Sequence, residues 1–117
     1  MNYLLVGTGG ILGSIARYGI GKTISKHVNA RFPVGTFVIN ITGAIMLGIL
    51  TSAQFGTNMY LFLGDGFLGA YTTFSTFMYE GFNLFKDNEK LNAFVYTLSS
   101  VIIGIIGFSI GIKIGLL

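Results

Sequence analysis

The chain has 117 residues, 52% of them hydrophobic and only 9% charged, with a formal net charge of +3 and a mean hydropathy of +0.76. A soluble domain carries about a quarter charged residues, so too little polar surface is available for a water-soluble fold. The absence of cysteine excludes a disulfide framework and a thiol-ligated metal site. The small positive charge collects beside the ends of apolar runs, where it is a topology signal and not a nucleic-acid surface.

Four apolar runs lie at about 3–21, 34–55, 59–80 and 91–117. Each is near the ~20 residues that cross about 30 Å of hydrocarbon as a helix. Helices satisfy their own backbone in lipid, and the short alternating segments of a membrane barrel are absent. The expected fold is an all-α integral membrane protein, a single four-helix transmembrane domain over residues 1–117 with no soluble appendage.

The first run carries Arg17 and lacks a basic leader, so it reads as a span and not as a cleaved signal. Gly9, Gly13, Arg17 and Gly21 recur along it at every fourth position, as do Thr36, Asn40, Ala44 and Gly48 in the second run. Such stripes mark faces where membrane helices approach closely. Between these runs His27 is expected in a polar loop, solvated, between Lys26 and Arg31. Asn40 stands among Val38, Ile39 and Ile41, where an unpaired amide is costly. It either bridges two helices or serves a ligand.

The third run departs from the pattern. Gly64, Gly66 and Gly69 precede the pair Thr72-Thr73, and each interior glycine costs about 1 kcal/mol against alanine in a helix. Local unwinding near Gly69 to Thr72 is expected, breaking the third helix near its middle. Non-helical backbone at membrane depth persists only when buried in protein or lining a wet cavity. Carbonyls freed there are of the kind that hold Na⁺ in broken transporter helices. Phe74 and Phe77, three residues apart, share a face, while Ser75 and Thr76 project elsewhere. The hydroxyls either bond back to carbonyls one turn earlier or line a polar path. Asp65 lies nearer one membrane side, and Glu80 closes the run at the other, the side that Arg17 approaches. Arg17 and Glu80 either pair or leave Arg17 to concentrate anions at a pore mouth. In the fourth run Tyr96 and Ser100 are one turn apart, followed by Gly107, Gly111 and Gly115 at four-residue spacing.

Lys22, Lys26, Arg31, Lys86 and Lys90 fall on one side with Arg17 close by, and Lys113 falls on the other, which places both chain ends outside. Four short helices hardly enclose a private pore, so an oligomer is expected. The polar groups within the runs are N–H and O–H donors, without a buried cation and with few carboxylates. That set suits a small anion such as fluoride, towards which phenylalanine ring edges also present positive charge. No nucleophile–base pair, metal cluster or phosphate loop is present, so an enzyme is not expected.

"GTGGILGSIARY", "GTFVINITGAIMLG" and "GFLGAYTTFSTF" together resemble the Fluc (CrcB-type) fluoride channels, over nearly the whole chain. The resemblance implies an antiparallel, dual-topology dimer with two fluoride pores in the multi-pass plasma membrane of a prokaryote. It makes Phe74 and Phe77 the ion-facing rings and Asn40 the amide donor. Ser75 and Thr76 form a polar track, joined by Tyr96 and Ser100 from the fourth helix. Arg17 belongs to the vestibule, which Glu80 approaches. The carbonyls of Gly69 and Thr72, from both subunits, hold a central structural Na⁺. Asp65 and Tyr71 depart from the family's usual residues. The strong charge bias leaves two schemes, dual insertion of one chain or pairing with an oppositely oriented paralogue. Two other functions compete. A small multidrug-resistance-type exporter needs a membrane-embedded carboxylate, for which Asp65 is a poor substitute, and a purely structural membrane protein leaves the third-run hydroxyls and Asn40 idle.

Overall fold

The computed structural model describes residues 2–27 and 33–117, apart from the side chains of Asn2 and Ser75. The described residues form helices and no strand: α1 (Asn2–His27), α2 (Val34–Ser52), α3 (Thr57–Tyr60), a π-helical stretch (Leu61–Leu68), α4 (Gly69–Tyr71), α5 (Ser75–Lys86) and α6 (Lys90–Gly115). The elements from α3 to α5 form one segment, so four helical segments make up the fold. The molecule measures 47 × 28 × 23 Å, its long axis close to the ~40–45 Å of a bilayer with headgroups.

Lys22, Lys26 and His27 belong to α1, not to the loop expected from their polarity. No glycine or proline interrupts Lys22–His27. Within it Thr23 Oγ1 donates to Gly19 O at 2.8 Å, and His27 Nδ1 lies 2.9 Å from Thr23 O. His27 is exposed, and Lys22 sits over the Tyr18 ring at 5.7 Å. Arg31 lies outside the described residues.

Burial runs opposite to that of a soluble protein. On α6 the buried residues are Ala93, Tyr96, Gly107 and Gly111, while Val101, Ile102, Ile103, Ile105, Ile106 and Ile110 face outward. By length and composition α2 and α6 are apolar enough to cross a membrane. α1 carries Arg17, Lys22 and Lys26, and the third segment is divided, so neither forms a comparable uninterrupted apolar helix.

Glycines hold the segments together in parallel pairs. Gly9 and Gly13 bring α1 so close to the third segment that a Cβ would collide with the carbonyl oxygens of Phe62 and Phe67. Gly48 and Gly111 join α2 to α6 in the same way, meeting Phe108 O and Ile45 O. In lipid, where apolar burial gives helices no drive to associate, close backbone approach takes its place. On α2 the stripe against α6 is Ile41, Ile45, Gly48 and Ser52. Only Gly48 of the expected small-residue stripe packs there. Thr36, Asn40 and Ala44 border cavities, because small and polar side chains leave room that the isoleucines fill.

Two apolar clusters position the remaining groups. Ile39, Leu50, Leu68 and Tyr71 gather Ala16, Met46, Leu63 and Phe67 around them. Leu84, Ala93 and Tyr96 pack with Phe37 and Phe77 near the turn between α5 and α6.

Gly13→Leu and Gly111→Leu are each expected to destabilise the protein by about 1–3 kcal/mol, since the obstacle is backbone that cannot rotate away. Gly7→Ala, inside α1 with nothing within 4 Å of the new methyl, should instead raise stability by up to about 1 kcal/mol. Thermal unfolding in detergent measures both.

Candidate functional site

The third segment leaves its helix after Tyr71. Thr72 is extended (φ −81°, ψ 159°), Phe74 returns to helical angles (φ −90°, ψ −39°), and α5 begins at Ser75. A continuous helix would have Thr73 N–H donate to Gly69 O. Instead Thr73 N–H donates to Asn40 Oδ1 at 3.0 Å, and Asn40 Nδ2 donates to Thr73 O, also at 3.0 Å. One carboxamide from α2 thus takes up both backbone groups of a single residue. Three residues on, Thr76 N–H, which a helix would direct to Thr72 O, donates to Thr73 Oγ1 at 3.2 Å. The carbonyls of Gly69 and Thr72 have therefore lost the donors that a regular helix supplies.

The hydroxyls divide between the two expected behaviours. Thr72 Oγ1 bonds back to Leu68 O at 2.8 Å, and Thr72 N–H donates to the same oxygen at 3.0 Å. Thr73 Oγ1 acts as an acceptor for α5, and Thr76 is half-buried beside it. The side chain of Ser75 lies outside the described part of the molecule.

Two cavities flank the interruption. One, of about 990 Å³, opens among the ends of α1, α2 and α5 and is lined by Arg17, Lys22, Thr36, Thr73, Thr76 and Glu80, among others. The second, of about 400 Å³, is lined by Asn40, Ala44, Gly69, Thr72, Thr73, Phe74 and Phe77, with small or apolar neighbours. Thr73 borders both. Arg17 and Glu80 thus share one cavity, and Glu80 Oε1 is buried with no hydrogen-bond partner among the described residues.

Three rings lie in series between α5 and α6. Phe74 and Phe77 have centroids 6.3 Å apart at 45°, and Phe77 and Tyr96 are 5.1 Å apart at 47°. Phe74 is 74% exposed, Phe77 is half-buried and Tyr96 is fully buried. Ser100 Oγ, one turn beyond Tyr96, is buried with no hydrogen-bond partner among the described residues. Asn40, Phe74, Thr76, Phe77, Arg17, Glu80, Gly69 and Thr72 are therefore gathered around two cavities, both bordered by Thr73. Tyr96 joins through Phe77, while Ser100 lines neither cavity.

Thr73 carries more of this arrangement than its sequence position indicated. The available signal was the pairing requirement of Asn40, whose amide offers both a donor and an acceptor and therefore matches a backbone group that has left a helix. Asp65 is exposed on the π-helical stretch, away from both cavity linings.

The family model described as "CrcB-like protein, Camphor Resistance (CrcB)" matches residues 4–112. The chain is 63% identical over 111 residues to the "Fluoride-specific ion channel FluC 2" of Clostridium acetobutylicum, covering 95% of each chain. It is 43% identical over 115 residues to the protein of the same name from Bacillus cereus, covering 98% of each. A "Fluoride-specific ion channel FluC 1" from Listeria monocytogenes is 43% identical over 116 residues, again with 98% of each chain covered.

Asn40→Leu removes both bonds to Thr73 and strands a half-buried N–H and C=O, so a loss of about 1–3 kcal/mol is expected. Amide hydrogen exchange should rise at Thr73 before it rises in the α2–α6 pair.

Proposed function

The chain belongs to the CrcB-like family, and on that premise we propose that it is a fluoride-specific ion channel, not an enzyme, passing fluoride passively across the plasma membrane of a prokaryote. The observation that carries the reading is the concentration of neutral donors and ring edges around Thr73, which borders both cavities, in a chain 63% identical to a protein named for that activity.

Fluoride sheds a strongly bound hydration shell only where other donors replace it. Arg17 and Lys22 on the larger cavity attract anions locally, beside the carboxyl groups of Glu80, Asp87 and Glu89 on the same lining. Beyond them Thr76 and Ser75 offer hydroxyls, and the half-buried Phe77 and exposed Phe74 turn positive ring edges towards an anion. Asn40 spends one N–H on Thr73 O and keeps the second for the ion. Tyr96 and Ser100 extend the donor set on α6. Glu80 stands at the vestibule, where its charge faces the same space as Arg17.

In this reading all four helical segments span the membrane, and the interruption after Tyr71 is the family's broken third helix. The outward apolar faces of α6 meet lipid or a second subunit. Two antiparallel chains form the channel, with one pore on each side of their interface. The numbering in the relatives' names is consistent with paired subunits, which accommodates either a homodimer or an oppositely oriented paralogue. No nucleic-acid partner is part of the proposal. A structural Na⁺ fits the donor set: Gly69 and Thr72 supply neutral carbonyl oxygens, hard ligands whose helical donors are engaged elsewhere. When bound, the ion supplies a fixed positive charge at the centre of the dimer. A proton-coupled multidrug exporter is not favoured, because the relatives are named for fluoride, Asp65 lines neither cavity, and Glu80 stands at the end of its run rather than within it.

Reconstituted in liposomes, the protein should pass fluoride rapidly, pass chloride poorly and need no proton gradient. Chloride flux equal to that of fluoride would overturn the selectivity, and drug–proton exchange would restore the exporter. Phe74→Ile and Phe77→Ile should each abolish fluoride flux while dimers persist on size exclusion. Undiminished flux in both would reduce the rings to packing.

A further inference from the structure

Tyr71, the last residue of α4, is 3% exposed. Its ring stacks on Phe67, with centroids 5.7 Å apart and 18° between planes. Its hydroxyl lies 2.8 Å from Thr42 Oγ1, which is itself 2.8 Å from Val38 O and 3.0 Å from Ile39 O. Thr42 has a single hydroxyl proton, and the carbonyls of its own helix take it. Its lone pairs then accept the phenol proton of Tyr71. A phenylalanine would fill the same volume without burying a hydroxyl, so the phenol is retained at a cost that its bond must offset.

The position of this bond gives it a function. α2 grips the third segment at Tyr71 through Thr42 and at Thr73 through Asn40. Between the two grips lies Thr72, the extended residue at which the chain leaves its helix. Gly43 completes the clamp, since a Cβ there would collide with Thr72 Cγ2. The direction of the Gly69 and Thr72 carbonyls follows from where Tyr71 and Thr73 are held.

We propose that the Tyr71–Thr42 hydrogen bond is a positioning element that aims the carbonyls of Gly69 and Thr72 and thereby sets their affinity for a monovalent cation. The inference rests on the cation site assigned above and goes beyond it by naming side chains that never touch the ion.

Sodium-dependent thermal stabilisation of the full-length protein in detergent tests it, with sodium replaced by N-methylglucamine at constant ionic strength. Tyr71→Phe and Thr42→Val should each raise about five-fold the sodium concentration that gives a set stabilisation over the sodium-free protein, the effect of one modest hydrogen bond. The double variant should be no worse than either single one, and Thr42→Ser, which keeps the hydroxyl, should behave as the parent. The gap in stability between each single variant and the parent should widen as sodium is raised through the parent's binding range, as linkage requires of a weaker site. An unshifted sodium requirement in Tyr71→Phe, additive effects in the double variant, or a stability loss of equal size with and without sodium would each overturn the proposal, the last by making the bond ordinary packing. A parent protein indifferent to sodium would overturn it together with the cation site. Fluoride flux in liposomes, measured separately, would then still decide the channel assignment.

Discussion

A chain that leaves its helix inside hydrocarbon must find other partners for the backbone groups it releases, and here the carboxamide of Asn40 provides them. Its two bonds to Thr73, each 3.0 Å, replace a turn of helix with a contact between segments. The capture of Thr76 N–H by Thr73 Oγ1 extends the exchange into α5. Amide donors are satisfied while two carbonyls, of Gly69 and Thr72, are left with ligand capacity. The same local rearrangement places Phe74 and Phe77 at the border of a cavity. Neutral dipoles held in this way cost less to keep in a membrane than a buried charge, and they suit an ion that must enter and also leave.

Close packing elsewhere leaves the polar row free. Because Gly48 and Gly111 let α2 and α6 meet backbone to backbone, α2 turns Ile41 and Ile45 towards α6. Thr36, Asn40 and Ala44 then face the cavities. Gly9 and Gly13 do the same for α1 and the third segment. The bulky residues of α6 point outward. The ring of Phe74, on the lining of the smaller cavity, is left exposed in the single chain, which suits the pairing of two subunits proposed above.

The all-α architecture was legible in the apolar runs, and the packing faces of α1 and α6 were legible in Gly9, Gly13, Gly107 and Gly111. The density of hydroxyls from Thr72 to Thr76 singled out the region that borders both cavities. What remained hidden depends on contacts across the fold. Asn40 and Thr73 are 33 residues apart, and an amide's need for a partner does not name the partner. The stripe Thr36–Asn40–Ala44–Gly48 has the spacing of a packing face, yet only Gly48 packs, because spacing fixes a face and not what lies opposite. α1 outran its apolar limit at Gly21, since Thr23 and His27 keep satisfying helical carbonyls beyond the apolar stretch. Tyr71 read only as a departure from the family until Thr42 was found beside it.

The exchange of partners at Thr73 is tested most directly by infrared spectroscopy of the protein in bilayers, with single ¹³C=O labels at Gly69 and Thr72. Carbonyls released from the helical ladder should absorb at higher frequency than a ¹³C=O label at Ile103 within α6, and the bands should fall as sodium is added. Helix-like frequencies that ignore sodium would mean that the third segment keeps its own hydrogen bonds, contradicting the arrangement on which both the ion path and the cation site depend.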